Sequence, residues 1–299
     1  MRFFDSAAVT ALGYGAAIAA VRAALLDGLD PADDPARSAV GLRHGQFLLM
    51  PAEAPAGAGV KVVTVAPDNP ARGLPRIAAV YLLFDPDTLA PVAVLDGTAL
   101  TTLRTPAVSV AAVLDRLPPG PLRVAVIGAG PQAVGHVEAL SAVRPLAAAT
   151  HLVREPARAG RPAVALGAPE AQAELAAADV VVCATSARVP LFAGDLVRDS
   201  AVVIAVGSHE PDARELDAAL LARSSVVVED VPTALREAGD VVLAVAEGAV
   251  RIERLLTLRA VVTGAAEPVR DRPFVFKSVG MGWEDLVVAA AVTRRVADR

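Results

Sequence analysis

Three observations predict a mixed α/β chain in two parts. Short apolar strands separated by Pro, Gly and Asp turns run from about residue 38 to 98, and a proline cluster, Pro118-Pro-Gly-Pro121, closes that region. Alternating strand-like and helix-like segments follow, the rhythm of a parallel sheet with crossover helices. A chain of 299 residues has room for one large or two modest domains. The proline cluster is the natural boundary between them.

Each element has its own warrant. Residues 6–28 read as an amphipathic helix, with Ser6 as N-cap and Gly28 at the stop. Gly45–Met50, Val60–Val65, Ile77–Phe84 and Pro91–Leu95 are the apolar runs of the β region. Asp85-Pro-Asp-Thr88, between the last two, has the residues of a hairpin turn. A helix over 101–116 carries the chain to the prolines. Beyond them strands are predicted at 123–127, 148–153, 179–184, 201–206 and 225–229, with helices between. A last helix over 283–296 follows Phe274-Val-Phe-Lys-Ser-Val-Gly280.

Composition narrows the function classes. Hydrophobic residues make up 54%, yet charges or breakers interrupt every stretch near the ~20 apolar residues that span a bilayer. Met1-Arg-Phe-Phe-Asp-Ser6 lacks the apolar core of a signal peptide, which predicts a cytoplasmic address and no membrane partner. A net charge of −5 without a basic block argues against nucleic acid. His44, His136, His151 and His209 lack metal-ligand spacing, so no metal is expected. The single cysteine, Cys183, excludes an internal disulfide and reads as a buried thiol on an apolar strand.

The run Arg123-Val-Ala-Val-Ile-Gly-Ala-Gly-Pro-Gln-Ala-Val-Gly135 carries the first chemical signal. It reads as strand, tight glycine turn and helix, the geometry that aims a helix N-terminus at a pyrophosphate. Gly128 permits the turn, and Gly130 lets the backbone approach a phosphate. Ala133 keeps helix and strand close. A dinucleotide cofactor follows. The next strand ends in Arg154, which suits the 2′-phosphate of NADP, with Arg158 and Arg161 nearby. NADP(H) is therefore favoured; the adjacent Glu155 keeps NAD(H) possible.

A second signal lies upstream. Lys61 interrupts an apolar strand, and Arg104 interrupts the start of an apolar helix. Such cations commonly form surface or structural ion pairs. On two separate elements they can instead clamp a carboxylate, with Arg supplying a fork and Lys a point charge.

Four runs, in this order, make the chain recognisable: Leu100-Thr-Thr-Leu-Arg-Thr-Pro-Ala-Val-Ser109, Val126-Ile-Gly-Ala-Gly-Pro-Gln132, Val206-Gly-Ser-His-Glu-Pro-Asp-Ala-Arg-Glu-Leu216, and Val275-Phe-Lys-Ser-Val-Gly-Met281 with Glu284-Asp285. From about residue 5 onward the chain resembles the ornithine cyclodeaminase/mu-crystallin family. The resemblance implies a Rossmann dinucleotide-binding domain over 119–277. It would be inserted into a discontinuous α+β substrate-binding and dimerisation domain of 1–118 plus 278–299, in a homodimer. It also implies that Lys61 and Arg104 hold a substrate carboxylate with Arg43 as a third cation. Gly280 would border the substrate. Thr105, Gly128, Gly130, Pro131, Gln132, Arg154, Thr185, Val206, Gly207 and Ser278 would line the cofactor.

One departure separates branches of the family. Ornithine cyclodeaminases carry an aspartate two residues after the glycine that matches Gly207, and this chain has Ser208-His209-Glu210-Pro211 there. The pattern resembles the mu-crystallin and reductase branch, whose members reduce cyclic ketimines. Cyclodeamination needs a proton shuttle within one closed site, whereas a ketimine reductase receives its imine ready made. His209 is a candidate to fill the aspartate's role, because imidazole titrates near neutrality; a solvent-facing loop histidine is the plain alternative. Asp212 or Glu215 is expected to cap a helix starting near Asp212. The expected activity is NAD(P)H-dependent reduction of a small cyclic α-imino acid, of Δ1-pyrroline-2-carboxylate or Δ1-piperideine-2-carboxylate type. Ornithine cyclodeamination, an alanine or N-methyl-amino-acid dehydrogenase, and a non-catalytic dinucleotide-binding protein are the alternatives.

Overall fold

The computed structural model describes residues 1–55 and 57–297. The chain forms two compact units, one of Met1–Val108 together with the chain from Gly280 onward, the other of Ser109–Val279. The division therefore falls inside a helix, Gly97–Val113, and not at the proline cluster.

The first unit is built on a six-stranded sheet of β1 (Arg2–Phe4), β2 (Ser38–Leu42), β3 (Gly45–Ala54), β4 (Gly57–Val65), β5 (Ile77–Phe84) and β6 (Pro91–Asp96). Its order is β1-β6-β5-β4-β3-β2, antiparallel except for the β1–β6 pair. Alternation divides its faces. Met50, Ala52, Lys61, Val63, Tyr81, Leu83 and Leu95 are buried, and the C-terminal helix Gly282–Ala297 packs across β3, β4 and β5. That helix contributes Trp283, Leu286, Val288 and Ala289 to the core. The opposite face is apolar and uncovered within the unit: Phe3 is 73% exposed, Val80 45% and Val92 40%.

Several elements differ from the sequence reading. The first helix is two, α1 (Ser6–Thr10) and α2 (Tyr14–Leu26), because Gly13 turns the chain at φ +76°. Asp5, not Ser6, caps α1 by accepting the Ala8 N–H. The helix predicted over 101–116 is α3 (Gly97–Val113), followed by a short 3-10 turn. The hairpin at Asp85 forms as expected. Its side chain accepts the N–H groups of Asp87 and Thr88.

The second unit holds an eight-stranded, wholly parallel sheet. Its strands are β7 (Leu122–Ile127), β8 (Leu146–Val153), β9 (Ala163–Ala165), β10 (Val180–Cys183), β11 (Val202–Ala205), β12 (Ser225–Val228), β13 (Leu256–Thr257) and β14 (Phe274–Lys277). The order is β13-β12-β14-β11-β10-β7-β8-β9. Strands covered on both faces read as unbroken apolar runs, as in the buried Val180–Cys183 and Val202–Ala205. The strand order reverses beside β7, whose neighbours are β8 and β10. Ligands of open parallel sheets bind at the carboxyl ends of strands at such a reversal. Cys183 is a free thiol in this core, and burial pushes its pKa well up. Among the described residues, no helix is long and apolar enough to cross a membrane.

Candidate active site

In the second unit, β7 ends at Ile127, Gly128 follows it, and α4 (Pro131–Ser141) begins three residues after Gly128. Gly128 has φ +122°, and a Cβ there would lie 2.6 Å from the Ala184 carbonyl oxygen, so both conformation and space require glycine. Its N–H donates to Leu152 O at 2.9 Å, and its carbonyl meets His151 Nδ1 at 2.8 Å. Gly130 is the helix N-cap, and a Cβ at that position would meet nothing within 4 Å. The backbone therefore stands open to a phosphate, with Pro131 setting the first helical φ.

Gly128, Ala129, Arg154, Thr185 and Arg188 border a cavity of about 730 Å³ at this edge of the sheet. Arg154 is exposed on its wall. Glu155 instead pairs with Arg158 at 3.0 Å. The residues present fit a dinucleotide: an open glycine turn, a helix N-terminus and a cation at the end of the second strand.

Thr185, Val206–Gly207 and Ser278 follow β10, β11 and β14, three adjacent strands. Their polar groups face inward. Thr185 N–H and Oγ and Gly207 N–H donate to the Glu215 carboxylate. Ser278 Oγ and Val279 N–H donate to Glu229 at 2.7 and 2.8 Å. His209 is exposed on the loop after β11, and Glu210 and Asp212 both pair with Arg188 at 2.5 Å. The helix expected near Asp212 begins at Ala218, and its cap is Asp217, which accepts the Leu220 N–H.

The first unit buries a charge cluster. Lys61 on β4 is 1% exposed and Arg104 on α3 5%, while Glu284 and Asp285 at the start of the C-terminal helix are fully buried. Lys61 Nζ lies 2.7 Å from Asp285 Oδ2. Arg104 reaches Glu284 at 2.5 Å and Asp285 at 3.3 Å. Burial pushes the Lys61 pKa down to about 8, with Arg104 adding to the effect and Asp285 opposing it. Gly280, at φ +79°, packs on the Arg104 guanidinium so closely that a Cβ would stand 2.7 Å from Nη2.

Arg43 is not brought to this cluster. It is exposed at the β2–β3 hairpin turn. Arg37 takes the place beside Gly280, donating to its carbonyl at 3.0 Å. Thr105, next to Arg104 on α3, is buried. Sequence reasoning missed Arg37 and gave Glu284 and Asp285 no role; the signal was two acids in the first turn of an apolar helix, where the dipole favours them.

The sequence profile of the ornithine cyclodeaminase/mu-crystallin family matches residues 11–299. The chain belongs to that family. Among members of the ornithine cyclodeaminase/mu-crystallin family, it is 37% identical over 274 residues to Δ1-pyrroline-2-carboxylate reductase 2 of Burkholderia ambifaria, covering 88% of this chain and 84% of that protein. It is similar to the structure of Thermococcus litoralis Δ1-pyrroline-2-carboxylate reductase in complex with NADH and L-proline. That likeness has a TM-score of 0.87 and 27% identity, with coverage of 100% and 98%. A dimeric archaeal alanine dehydrogenase with bound NAD is also similar, with a TM-score of 0.84, 26% identity and coverage of 99% and 96%.

Proposed function

We propose that this chain is an NAD(P)H-dependent imine reductase acting on a small cyclic α-imino acid, Δ1-pyrroline-2-carboxylate or its six-membered homologue. The observation that carries this reading is the buried pairing of Lys61 and Arg104 with Asp285 and Glu284. Two cations on separate elements, held by carboxylates at fixed distances, form a clamp for a substrate carboxylate. Arg37, which donates to the Gly280 carbonyl, is the candidate third cation of that clamp in place of the exposed Arg43. The names of the relatives support the substrate class.

Gly128, Gly130 and the start of α4 would hold the pyrophosphate, and Thr185, Gly207 and Ser278 would border the rest of the dinucleotide. Bound there, the reduced nicotinamide supplies a hydride for the imine carbon. Lys61 and Arg104 fix the substrate's distance and face through its carboxylate, and positioning of this kind supplies much of a rate enhancement. Asp285 and Glu284 balance the charge of the cations and so keep a protonated imine tolerable beside them. His209 is the candidate proton donor. Arg154 on the cavity wall, with Glu155 turned to Arg158, favours NADPH over NADH. The exposed apolar face of the six-stranded sheet is the surface on which two copies would associate as a homodimer.

NADPH oxidation with Δ1-pyrroline-2-carboxylate, beside an ammonia assay on ornithine with NAD, tests the reading. Rapid oxidation without ammonia is expected. Ammonia from ornithine would overturn it in favour of cyclodeamination.

A further inference from the structure

Glu215 has no assigned role in the reaction, yet it is fully buried in the second unit and surrounded by donors. Its Oε1 accepts Thr185 N–H at 2.8 Å and Thr185 Oγ–H at 2.7 Å, and its Oε2 accepts Gly207 N–H at 2.8 Å. One carboxylate thus ties the loop after β10 to the loop after β11. Every one of these partners donates, which is the environment of an ionised, acceptor-only group. Gly207 must be glycine for the same reason: a Cβ there would collide with the Thr185 carbonyl oxygen and the Glu215 carboxylate.

Glu215 is itself held. Asp240 Oδ1 accepts the N–H groups of Glu215 and Leu216 at 2.7 and 2.8 Å. Lys277, at the end of β14, places Nζ 3.1 Å from Asp240 Oδ2 and donates to the Ser208 carbonyl at 2.5 Å. Glu215, Asp240 and Lys277 are each at most 1% exposed. The network therefore joins the carboxyl ends of β10, β11 and β14, which are consecutive in the sheet.

We propose that Glu215 is a positioning residue for the dinucleotide, fixing the Thr185 and Gly207 loops as one surface at the carboxyl edge of the sheet. This inference rests on the dinucleotide reading of that edge. The backbone donors of Thr185 and Gly207 are consumed by Glu215, so these residues serve the cofactor through the shape of the surface they form. Losing the carboxylate frees the two loops separately, and affinity for the dinucleotide falls while the carboxylate clamp of the first unit keeps its geometry.

The test is Glu215→Gln, which preserves length but turns an amide N–H₂ toward a backbone donor. Titration of purified protein with NADPH and with NADH, read by calorimetry, is compared with steady-state constants for the imine. The expected result is a dissociation constant for both dinucleotides raised tenfold or more. The KM for the imine, measured at saturating dinucleotide, stays within twofold. Gly207→Ala, which forces a methyl group into the same space, is expected to produce the same split if the Gln variant does not fold. Unchanged dinucleotide affinity in a folded variant, or a parallel rise in both constants, overturns the proposal. Wild-type protein that binds neither dinucleotide would overturn the cofactor reading as well, and that arm separates the two failures.

Discussion

Lys61 has a proton affinity set by its surroundings, and two measurable quantities follow from it. Its pKa falls from 10.5 to about 8 because burial and Arg104 outweigh Asp285. The folded protein therefore releases this proton at lower pH than the unfolded chain. Between about pH 8 and 10.5 the unfolded state binds more protons, so the Lys61 contribution to stability rises with pH. The clamp loses its charge over the same interval. We expect kcat/KM for the imine to decline above about pH 8, and Lys61→Arg, whose charge persists, to move that decline upward. A wild-type profile that tracks the Arg variant would refute the assignment. Lys61→Ala should lower kcat/KM by about a hundredfold or more, of order 3 kcal/mol, because the substrate carboxylate loses one of the two cations that position it. Arg154→Glu should shift preference from NADPH toward NADH, and an unchanged ratio of the two kcat/KM values would remove Arg154 from the cofactor site.

Lys61 and Arg104 were legible because a charge inside an apolar strand or helix breaks the pattern. Arg37 was not: it precedes β2, in a stretch without periodicity, while Arg43 lies beside His44 in a stretch that looked equally polar. No local pattern says which of two loop arginines reaches Gly280.

Among the elements, α4 shows why the family's serine matters. Ser109 Oγ lies 2.9 Å from His136 Nε2, and His136 Nδ1 lies 2.7 Å from the Gln132 carbonyl. A carbonyl can only accept, so Nδ1 carries the proton and Ser109 donates to Nε2. Burial lowers the His136 pKa to about 4, against the opposing pull of the Gln132 carbonyl. This histidine is neutral in the fold, so its stabilising contribution is present above its ordinary 6.5 and is lost as pH falls toward 4. The shift corresponds to roughly 3 kcal/mol. His136→Gln should therefore lose more stability relative to wild type at pH 7 than near pH 4.5 in denaturant unfolding. An equal difference at the two pH values would contradict it.

Strands with long apolar runs were readable, and the shortest were not. β9 and β13 have three and two residues, too few for a period. β14 is the last strand in the chain, yet it lies between β11 and β12. Its place depends on pairing with partners far away in sequence, which a local pattern does not encode. In the sequence the first helix looks continuous because a glycine costs a helix only about 1 kcal/mol; the positive φ of Gly13 breaks it in two.

At the scale of the whole molecule, the uncovered sheet face makes the sharpest forecast. Phe3, Val80 and Val92 are exposed on it, and the half-buried Val60 and Val62 of β4, Leu82 of β5 and Val94 of β6 share the same face. A contiguous apolar surface of this kind marks association. We expect sedimentation to give a dimer, and Val80→Lys with Val92→Lys to give a monomer. A wild-type monomer at micromolar concentration would refute this role for the face. The two-part organisation was legible in composition and rhythm; the point of division inside α3 was not, since helix periodicity continues through it.

The ion cluster also has a consequence for the timing of synthesis. Lys61 and Arg104 leave the ribosome 180 or more residues ahead of Glu284 and Asp285, their partners. Until they emerge, the first unit has two cations to bury and no carboxylates from the C-terminal helix to neutralise them, a state costly enough to keep that unit open. A chain cut short before the final helix would thus fail to close its core and remain recognisable to proteases. The first unit closes only when the helix that carries its carboxylates is present to close it.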